Sequence, residues 1–243
     1  MYEPLNIKRI IDINKNVLIL TSCVENSILL MKEVNEMFIE KLKENFKLNE
    51  PIFTKEILEL FSNYSRAYVF RLIENAVENK EIIKFDLGVY YIPYLTEIGL
   101  STITVEDVMV KKYMRTDSDF YGIYSGLTLL NYFHVITQVP HTKEIVTNNE
   151  TTRCRKVKYH GRDFILKKSR CKITKENFYT YVVLQLFTEA GIEEEMDEKL
   201  KQHILEYMKN TNVHKNDLIE LSKHFPDRTL RNLMNSGVLN ETT

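Results

Sequence analysis

The tightest constraint on the fold lies between Asn35 and Pro93. There, three short amphipathic stretches are followed at once by two β-rich runs. Met37, Phe38, Leu42 and Phe46 recur at helical spacing and predict a first helix that ends near Lys47, before the Pro51 break. Thr54 predicts the cap of a second helix over Lys55–Phe61, with Phe53 and Leu58 at hydrophobic-staple positions. Ser62-Asn63-Tyr64-Ser65 reads as a turn. Val69, Leu72, Ile73, Ala76 and Val77 then line the inner face of a third helix over Arg66–Asn79. Ile82–Phe85 and Val89–Ile92, joined through Asp86-Leu87-Gly88, read as a hairpin. Seven Gly and five Pro in 243 residues leave little material for a glycine-rich phosphate loop or a turn-punctuated all-β fold.

Three compact helices followed by a hairpin is the order of a winged helix-turn-helix. In that arrangement the third helix packs its apolar face inward and offers its N-terminal half to the major groove. Here that half carries Tyr64, Ser65, Arg66, Tyr68 and Arg71, while Glu74 and Glu78 fall in the half that points away. Arg66 and Arg71 suit guanine edges or phosphates, and Tyr64 and Ser65 suit phosphate oxygens. Lys84, on the wing, suits the adjacent backbone. The same order also serves protein contact, and Phe38–Pro93 counts eight basic against nine acidic residues, so both uses stay open.

The rest of the chain predicts an α+β organisation. Residues 1–34 form an N-terminal extension with a short strand at Val17–Leu20 and a capping box in Thr21/Ser22 with Glu25. A long helix bearing Val24, Ile28, Met31, Phe38 and Leu42 on one side follows, with a break near Asn35, its stripe serving a core or a dimer contact. Residues 35–93 are the winged helix-turn-helix, and 94–243 a second domain with an antiparallel sheet and a C-terminal helical cap. Within that domain, Thr104-Val-Glu-Asp107 opens a helix to about Arg115, and Ser125-Gly126 opens another through Phe133. Thr137–Val139, Ile145–Thr147 and a later hairpin supply strands. Thr174 caps a helix over Lys175–Ala190 that stops at Gly191. Helices follow over Met196–Lys209 and His214–His224, with a last one that has Pro226 in its first turn and Gly237 as its stop.

The formal net charge of −1 conceals a strong segregation. Thr151–Lys175 holds ten basic residues against Asp163 alone, or +9, while Glu176–Glu206 holds eight acids against two lysines, or −6. The basic block alternates. Arg153, Arg155, Val157 and Tyr159 share one parity and Cys154, Lys156 and Lys158 the other, with His160-Gly-Arg-Asp163 as the turn of a hairpin. Such a block is either a solvated face or a phosphate-contacting patch of Arg153, Arg155, Lys156, Lys158, Arg162, Lys167, Lys168, Arg170 and Lys172.

Signals for catalysis are scarce. The chain has no Walker phosphate loop, no GxSxG and no HExxH. Its six His never stand three or four residues from one another or from a Cys, so no metal ligand set and no cofactor is expected. Asp117 and Asp119 flank Ser118 as in a magnesium-holding pair, but a polar loop after a helix explains them equally. Glu193-Glu194-Glu195 suits a helix N-terminus, and Glu78-Asn79-Lys80 has a nuclease-like spacing but ends the third helix, with the only Pro-Asp, Pro226-Asp227, 146 residues later. No catalytic residue is assigned. Three scattered Cys, no apolar run near the roughly 20 residues of a membrane span and no signal-peptide pattern predict a cytoplasmic protein away from membranes.

Several motifs form a joint pattern: Gly88-Val-Tyr-Tyr-Ile-Pro93, Tyr121-Gly-Ile-Tyr-Ser-Gly126, Asn131, Thr137-Gln-Val-Pro140, Ile145-Val-Thr-Asn148, and Arg155 with Val157. Over about residues 36–240 the chain resembles the AbiEi-type antitoxins of bacterial abortive-infection toxin–antitoxin systems and their uncharacterised relatives. The resemblance implies a winged helix-turn-helix that binds inverted repeats in its own promoter through Ser65, Arg66, Tyr68 and Arg71; inverted repeats are compatible with a homodimer on DNA, an oligomeric state that the sequence leaves open. It also implies a C-terminal domain with antitoxin activity against a nucleotidyltransferase-like toxin, without an obligatory stable complex. The alternative is an interaction module that blocks a partner enzyme directly, without binding DNA.

Overall fold

A computed structural model describes residues 32–189 and 198–241. The Val17–Leu20 strand, the Thr21/Ser22 capping box with its stripe to Met31, the Gly191 stop, Glu193–Glu195 and the Met196 helix start lie outside the described residues. The chain divides into two compact units between Ile103 and Thr104.

In the first unit, α1 (residues 32–45) leads into β1 (Ile52–Phe53), α2 (Thr54–Leu60), α3 (Arg66–Glu78), β2 (Ile83–Asp86) and β3 (Val89–Tyr91). The strands pair antiparallel in the order β1-β3-β2. Phe38 and Leu42 of α1, Ile57 of α2 and Val69, Leu72, Ile73 and Ala76 of α3 bury their side chains with Ile52, Ile82, Tyr90 and Ile92. The helical spacing selects these helix positions, but it also selects Met37, which is 52% exposed and so lies off the buried face of α1. α2 starts one residue earlier than expected, because the Phe53 backbone N–H donates to Glu56 Oε2 at 2.7 Å and places Phe53, not Thr54, at the cap. The two-residue strand β1 has too little sequence to show a period, and only its pairing with Tyr90 and Val89 defines it.

The unit continues past Pro93 into a small hairpin, β4 (Leu95–Thr96) and β5 (Gly99–Leu100). Tyr91 Oη donates to the Ser101 carbonyl at 3.1 Å, and Asn49 Nδ2 donates to the Thr102 carbonyl at 3.2 Å, tying this segment to β3 and to the turn after α1.

The second unit opens with α4 (Val105–Tyr113), capped by reciprocal hydrogen bonds between Thr104 and Asp107. Then come β6 (Gly122–Ser125), α5 (Gly126–Tyr132), β7 (Lys143–Thr147), β8 (Cys154–Tyr159), β9 (Arg162–Lys168) and α6 (Phe178–Glu189). Four further helices follow: α7 (Glu198–Asn210), α8 (Lys215–Ser222), α9 (Asp227–Asn235) and α10 (Val238–Glu241).

The sheet order is β6-β7-β9-β8. The β6–β7 and β8–β9 ladders are antiparallel, but β7 and β9 pair parallel, so the expectation of a wholly antiparallel sheet is corrected. The cause is in the side chains. Phe164 and Leu166 make β9 the apolar strand of the hairpin and are buried, so β9 takes the inner position. β8 carries the polar run and stays at the edge, where its lysines discourage further pairing.

On one sheet face Ile123 and Val146 join a core built around α6, whose residues Thr180–Thr188 are all buried. α7, α8 and α9 pack around α6 rather than forming a lid directly on the strands; α6 itself packs on β6.

Two local expectations are also corrected. Thr137–Val139 forms no strand, because Asn131 Nδ2 donates to the carbonyls of Ile136 and Gln138 and holds the segment as a loop. α6 begins at Phe178, since Asn177 Oδ1 accepts the Thr174 N–H and the Asn177 carbonyl accepts the first helical bond, from Tyr181. The later boundaries agree closely with expectation: His214 and Pro226 cap α8 and α9, and Gly237 sits at φ +72° just beyond α9.

Candidate nucleic-acid interface

The first candidate surface is the start of α3. Ser65 caps it, its Oγ accepting the Tyr68 backbone N–H at 3.3 Å, so this hydroxyl is engaged in holding the helix end. Tyr64 is 44% exposed, and its ring lies 5.5 Å from the half-buried Tyr68 ring. Arg66 is exposed and extends its guanidinium over Phe70 at 5.6 Å. Arg71 is exposed one turn further on, and Lys84 is exposed on β2 opposite Tyr90. Arg66, Arg71 and Lys84 make no ion pair with any described residue. All six residues named from the sequence therefore belong to one unit. Four of them present charge or an aromatic ring to solvent.

The second candidate surface is the β8–β9 hairpin. Its turn is His160-Gly161, both with positive φ (+46° and +79°), the signature of a twist-matched two-residue connection. Pairing puts Cys154, Lys156, Lys158 and Asp163 on one face with Lys167, and Arg155, Val157, Tyr159 and Arg162 on the other. The basic side chains divide into two groups. Arg153, Lys156, Lys158, Arg162, Lys168, Arg170 and Lys172 are exposed and make no ion pair with a described residue, Arg170 covering the Phe225 ring at 5.7 Å. Arg155 and Lys167 are occupied.

Arg155 Nε and Nη2 stand 2.9 and 2.8 Å from Glu150 Oε2, while Oε1 accepts the Thr151 and Thr152 N–H groups and the Thr152 hydroxyl. Burial alone would push the Glu150 carboxyl up. The hydrogen bonds from Thr152 and Arg155 outweigh it and hold the carboxyl below its ordinary range.

Lys167 Nζ lies 2.5 Å from Glu144 Oε2 and 3.9 Å from Glu189 Oε1. Around this trio is a polar network that residue-by-residue reading of the sequence misses. Ser125 Oγ donates to Glu189 Oε1 at 2.9 Å, and Gln185 Nε2 donates to both Ser125 Oγ and Glu189 Oε1, at 3.1 and 2.7 Å. Gly126, at φ +55°, makes the site possible, because a Cβ there would stand 2.4 Å from Glu144 Cδ. The parallel seating of β9 on β7 brings Lys167 to Glu144, and nothing in local spacing signals that pairing.

On the opposite face, Glu106 of α4 accepts hydrogen bonds from Tyr124 and Lys143. Burial, followed by the hydrogen bond to Glu106, raises the Tyr124 phenol far above its usual range.

Among the described residues no group of three or more His, Cys, Asp or Glu is arranged to hold a metal ion. Asp119 is engaged by the Thr116–Ser118 turn through its backbone N–H and its carboxylate. Glu78 and Lys80 sit at the exposed end of α3. Cys154 is exposed on β8, whereas Cys171 follows β9 in a loop, so the two thiols do not share neighbouring strands; burial pushes the Cys171 thiol up. No described helix is long and apolar enough to cross a membrane. No protein-family model matches the chain, and neither does any curated protein.

Proposed function

We propose that the first unit is a winged helix-turn-helix that binds duplex promoter DNA, and that the protein is a cytoplasmic autoregulator and antitoxin acting without catalysis, metal or cofactor. The element order α1-β1-α2-α3-β2-β3, with β1 closing the sheet against β3, supports the fold reading. The observation that carries the DNA reading is the start of α3, where Arg66 and Arg71 stand in solvent without an ion partner among the described residues, beside the exposed Tyr64 ring. The unpaired cations of the β8–β9 hairpin supply sequence-independent phosphate contacts. Inverted repeats as the operator follow from the resemblance, as does a nucleotidyltransferase-like toxin as the functional partner; a two-fold repeat suits a homodimer as the bound species.

Gel-shift titration against the promoter upstream of the gene, at several salt concentrations, tests the DNA reading. Arg66→Ala is expected to cost about 1–3 kcal/mol at a single base position, the worth of one bidentate guanine contact. No shift of the wild-type protein at low salt overturns the reading. The antitoxin role is tested by co-expression with a neighbouring nucleotidyltransferase-like gene, where rescue of growth is the expected result.

A second reading rests on apolar exposure. Leu87 at the wing tip is 87% exposed, and Leu95 and Ile98 on the β4–β5 hairpin are 80% and 100% exposed. Such side chains suit a protein partner blocked directly. A stable 1:1 complex with the toxin and no DNA shift would favour that reading.

A further inference from the structure

A cleft of about 1020 Å³ opens beside α7 in the second unit. Phe133 and His134 at the end of α5 form one wall. The other is a face of α7 and the turn that follows it. Lys199, His203, Glu206 and Lys209 line this wall at spacings of three or four residues and so lie along one stripe. At 1.5 Å of rise per residue, the two lysines are about 15 Å apart along the axis. Midway, the His203 ring stacks on His134, with centroids 5.3 Å apart and planes 23° from parallel, and Phe133 lies 5.9 Å from His203. The cleft therefore has a cation at each end, a flat pair of imidazoles between them and a single carboxylate.

The backbone at both ends of the cleft is unusual in the same way. His134 and Asn212 each follow a helix in the left-handed region, at φ +60° and +55°. The Val135 N–H donates to the Leu130 carbonyl and the Val213 N–H to the Met208 carbonyl, which closes the same helix-ending motif twice. Glycine is the ordinary residue at that position. Here both positions hold side chains that line the cleft.

We propose that this cleft binds a nucleotide, with its base against the His134–His203 pair and a phosphate at one of the two lysines, either as a free mononucleotide or as one unit of a single strand. Every base has a flat face that stacks on an aromatic or imidazole ring irrespective of sequence. Two lysines against one glutamate favour an anion over a cation or a neutral ligand. Glu206, between them, is an acceptor for a base amino group. The volume is at the top of the small-ligand range and leaves ample room for a nucleotide. The inference involves neither α3 nor the β8–β9 hairpin, so it stands or falls independently of promoter binding.

Fluorescence anisotropy on the full chain tests it with two probes, a fluorophore-labelled adenosine monophosphate and a labelled uridine trinucleotide. At least one probe is expected to bind. The double variant Lys199→Ala/Lys209→Ala, which alters surface side chains and preserves the fold, is expected to weaken binding roughly tenfold or more, the loss of one or two charge-assisted contacts. His203→Ala is expected to weaken it as well. Binding of the monophosphate identifies the free-nucleotide form, and binding of the trinucleotide alone identifies the strand form. No binding of either probe at millimolar protein, or wild-type affinity in the double lysine variant, overturns the proposal.

Discussion

Arg155 turns its guanidinium back onto Glu150, with two nitrogens within 3 Å of one carboxylate oxygen, although it lies on the exposed edge strand of a highly basic hairpin. The contact separates the charge of this segment from its capacity to bind phosphate. A guanidinium already held by a carboxylate releases no counterion from DNA. Arg155→Ala is therefore expected to leave the salt dependence of the proposed promoter binding unchanged, whereas Lys156→Ala and Lys158→Ala should each lower its slope by about 0.9 if the side chain meets a phosphate. Plots of log affinity against log salt for the three variants check this. A steeper loss for Arg155→Ala than for the two lysines would show that the Glu150 pair opens on binding.

Glu150 is also a pH-linked element of the fold. Its folded carboxyl is held below the ordinary range, so the stabilisation is fully present above the unfolded-state value of about 4.3 and is lost as pH falls through the lower folded value. Glu150→Gln is expected to destabilise the protein at pH 7 and to flatten the acid limb of a stability-against-pH curve. Denaturant titrations between pH 3 and 7 measure both effects.

The network of Ser125, Gln185, Glu189, Lys167 and Glu144 should behave as structure rather than as an interface. Ser125 is fully buried, and its hydroxyl joins Gln185 to Glu189. Ser125→Ala removes two buried hydrogen bonds, while the direct Gln185–Glu189 bond remains, and is expected to cost about 1–3 kcal/mol by urea denaturation. Lys167→Ala is expected to lower stability while leaving the salt slope of DNA binding unaltered, because Lys167 is paired with Glu144.

These two lysine outcomes mark where the sequence is legible and where it is not. The three helices and hairpin of the first unit repeat their apolar residues locally, and Phe38, Leu42, Ile57, Val69, Leu72 and Ile73 are buried as that periodicity requires. The alternation of β8 is equally plain, because a strand has period two. Which strand of the hairpin would sit inside was not plain: it depends on β7, which lies seven residues upstream of β8 and pairs with β9 in parallel. Lys156 and Lys167 look alike in the chain, and only that long-range pairing leaves one in solvent and neutralises the other. β1 and the β4–β5 hairpin are too short to carry any period at all.

Three glycines allow a graded test of backbone space. A Cβ at Gly161 meets nothing within 4 Å, so only its φ of +79° opposes substitution, and Gly161→Ala is expected to cost about 1–2 kcal/mol. Gly126 adds to a φ of +55° a clash with the Glu144 carboxylate, the end of a side chain that is itself tied to Lys167. Gly122 is the extreme case. Its Cβ would stand 2.0 Å from the Tyr113 carbonyl oxygen and 2.9 Å from that of Val146, both backbone atoms that side-chain rotation cannot move. The expected order of destabilisation is Gly161→Ala, then Gly126→Ala, then Gly122→Ala, with the last exceeding about 4 kcal/mol or abolishing folding. Urea midpoints for the first two and soluble yield for the third establish the order.

Tyr181 sets an alkaline limit on the second unit. Its ring is fully buried against Phe225, its hydroxyl accepts the Arg170 backbone N–H at 2.9 Å, and burial pushes the phenol up to about 12. An unfolded tyrosine ionises near 10, so between these values the unfolded chain has lost a proton that the folded one retains. Stability is then expected to be insensitive to this group below about pH 10 and to fall above it, by on the order of 2–3 kcal/mol at pH 12. Tyr181→Phe removes the titrating group but leaves the Arg170 N–H without its acceptor. The variant should be less stable than wild type at pH 7 by about 1 kcal/mol and lose less on going to pH 11. Denaturant unfolding at pH 7, 9, 10 and 11 separates the two effects, and parallel alkaline limbs for the two proteins would show that another buried phenol, Tyr124 or Tyr207, governs the transition.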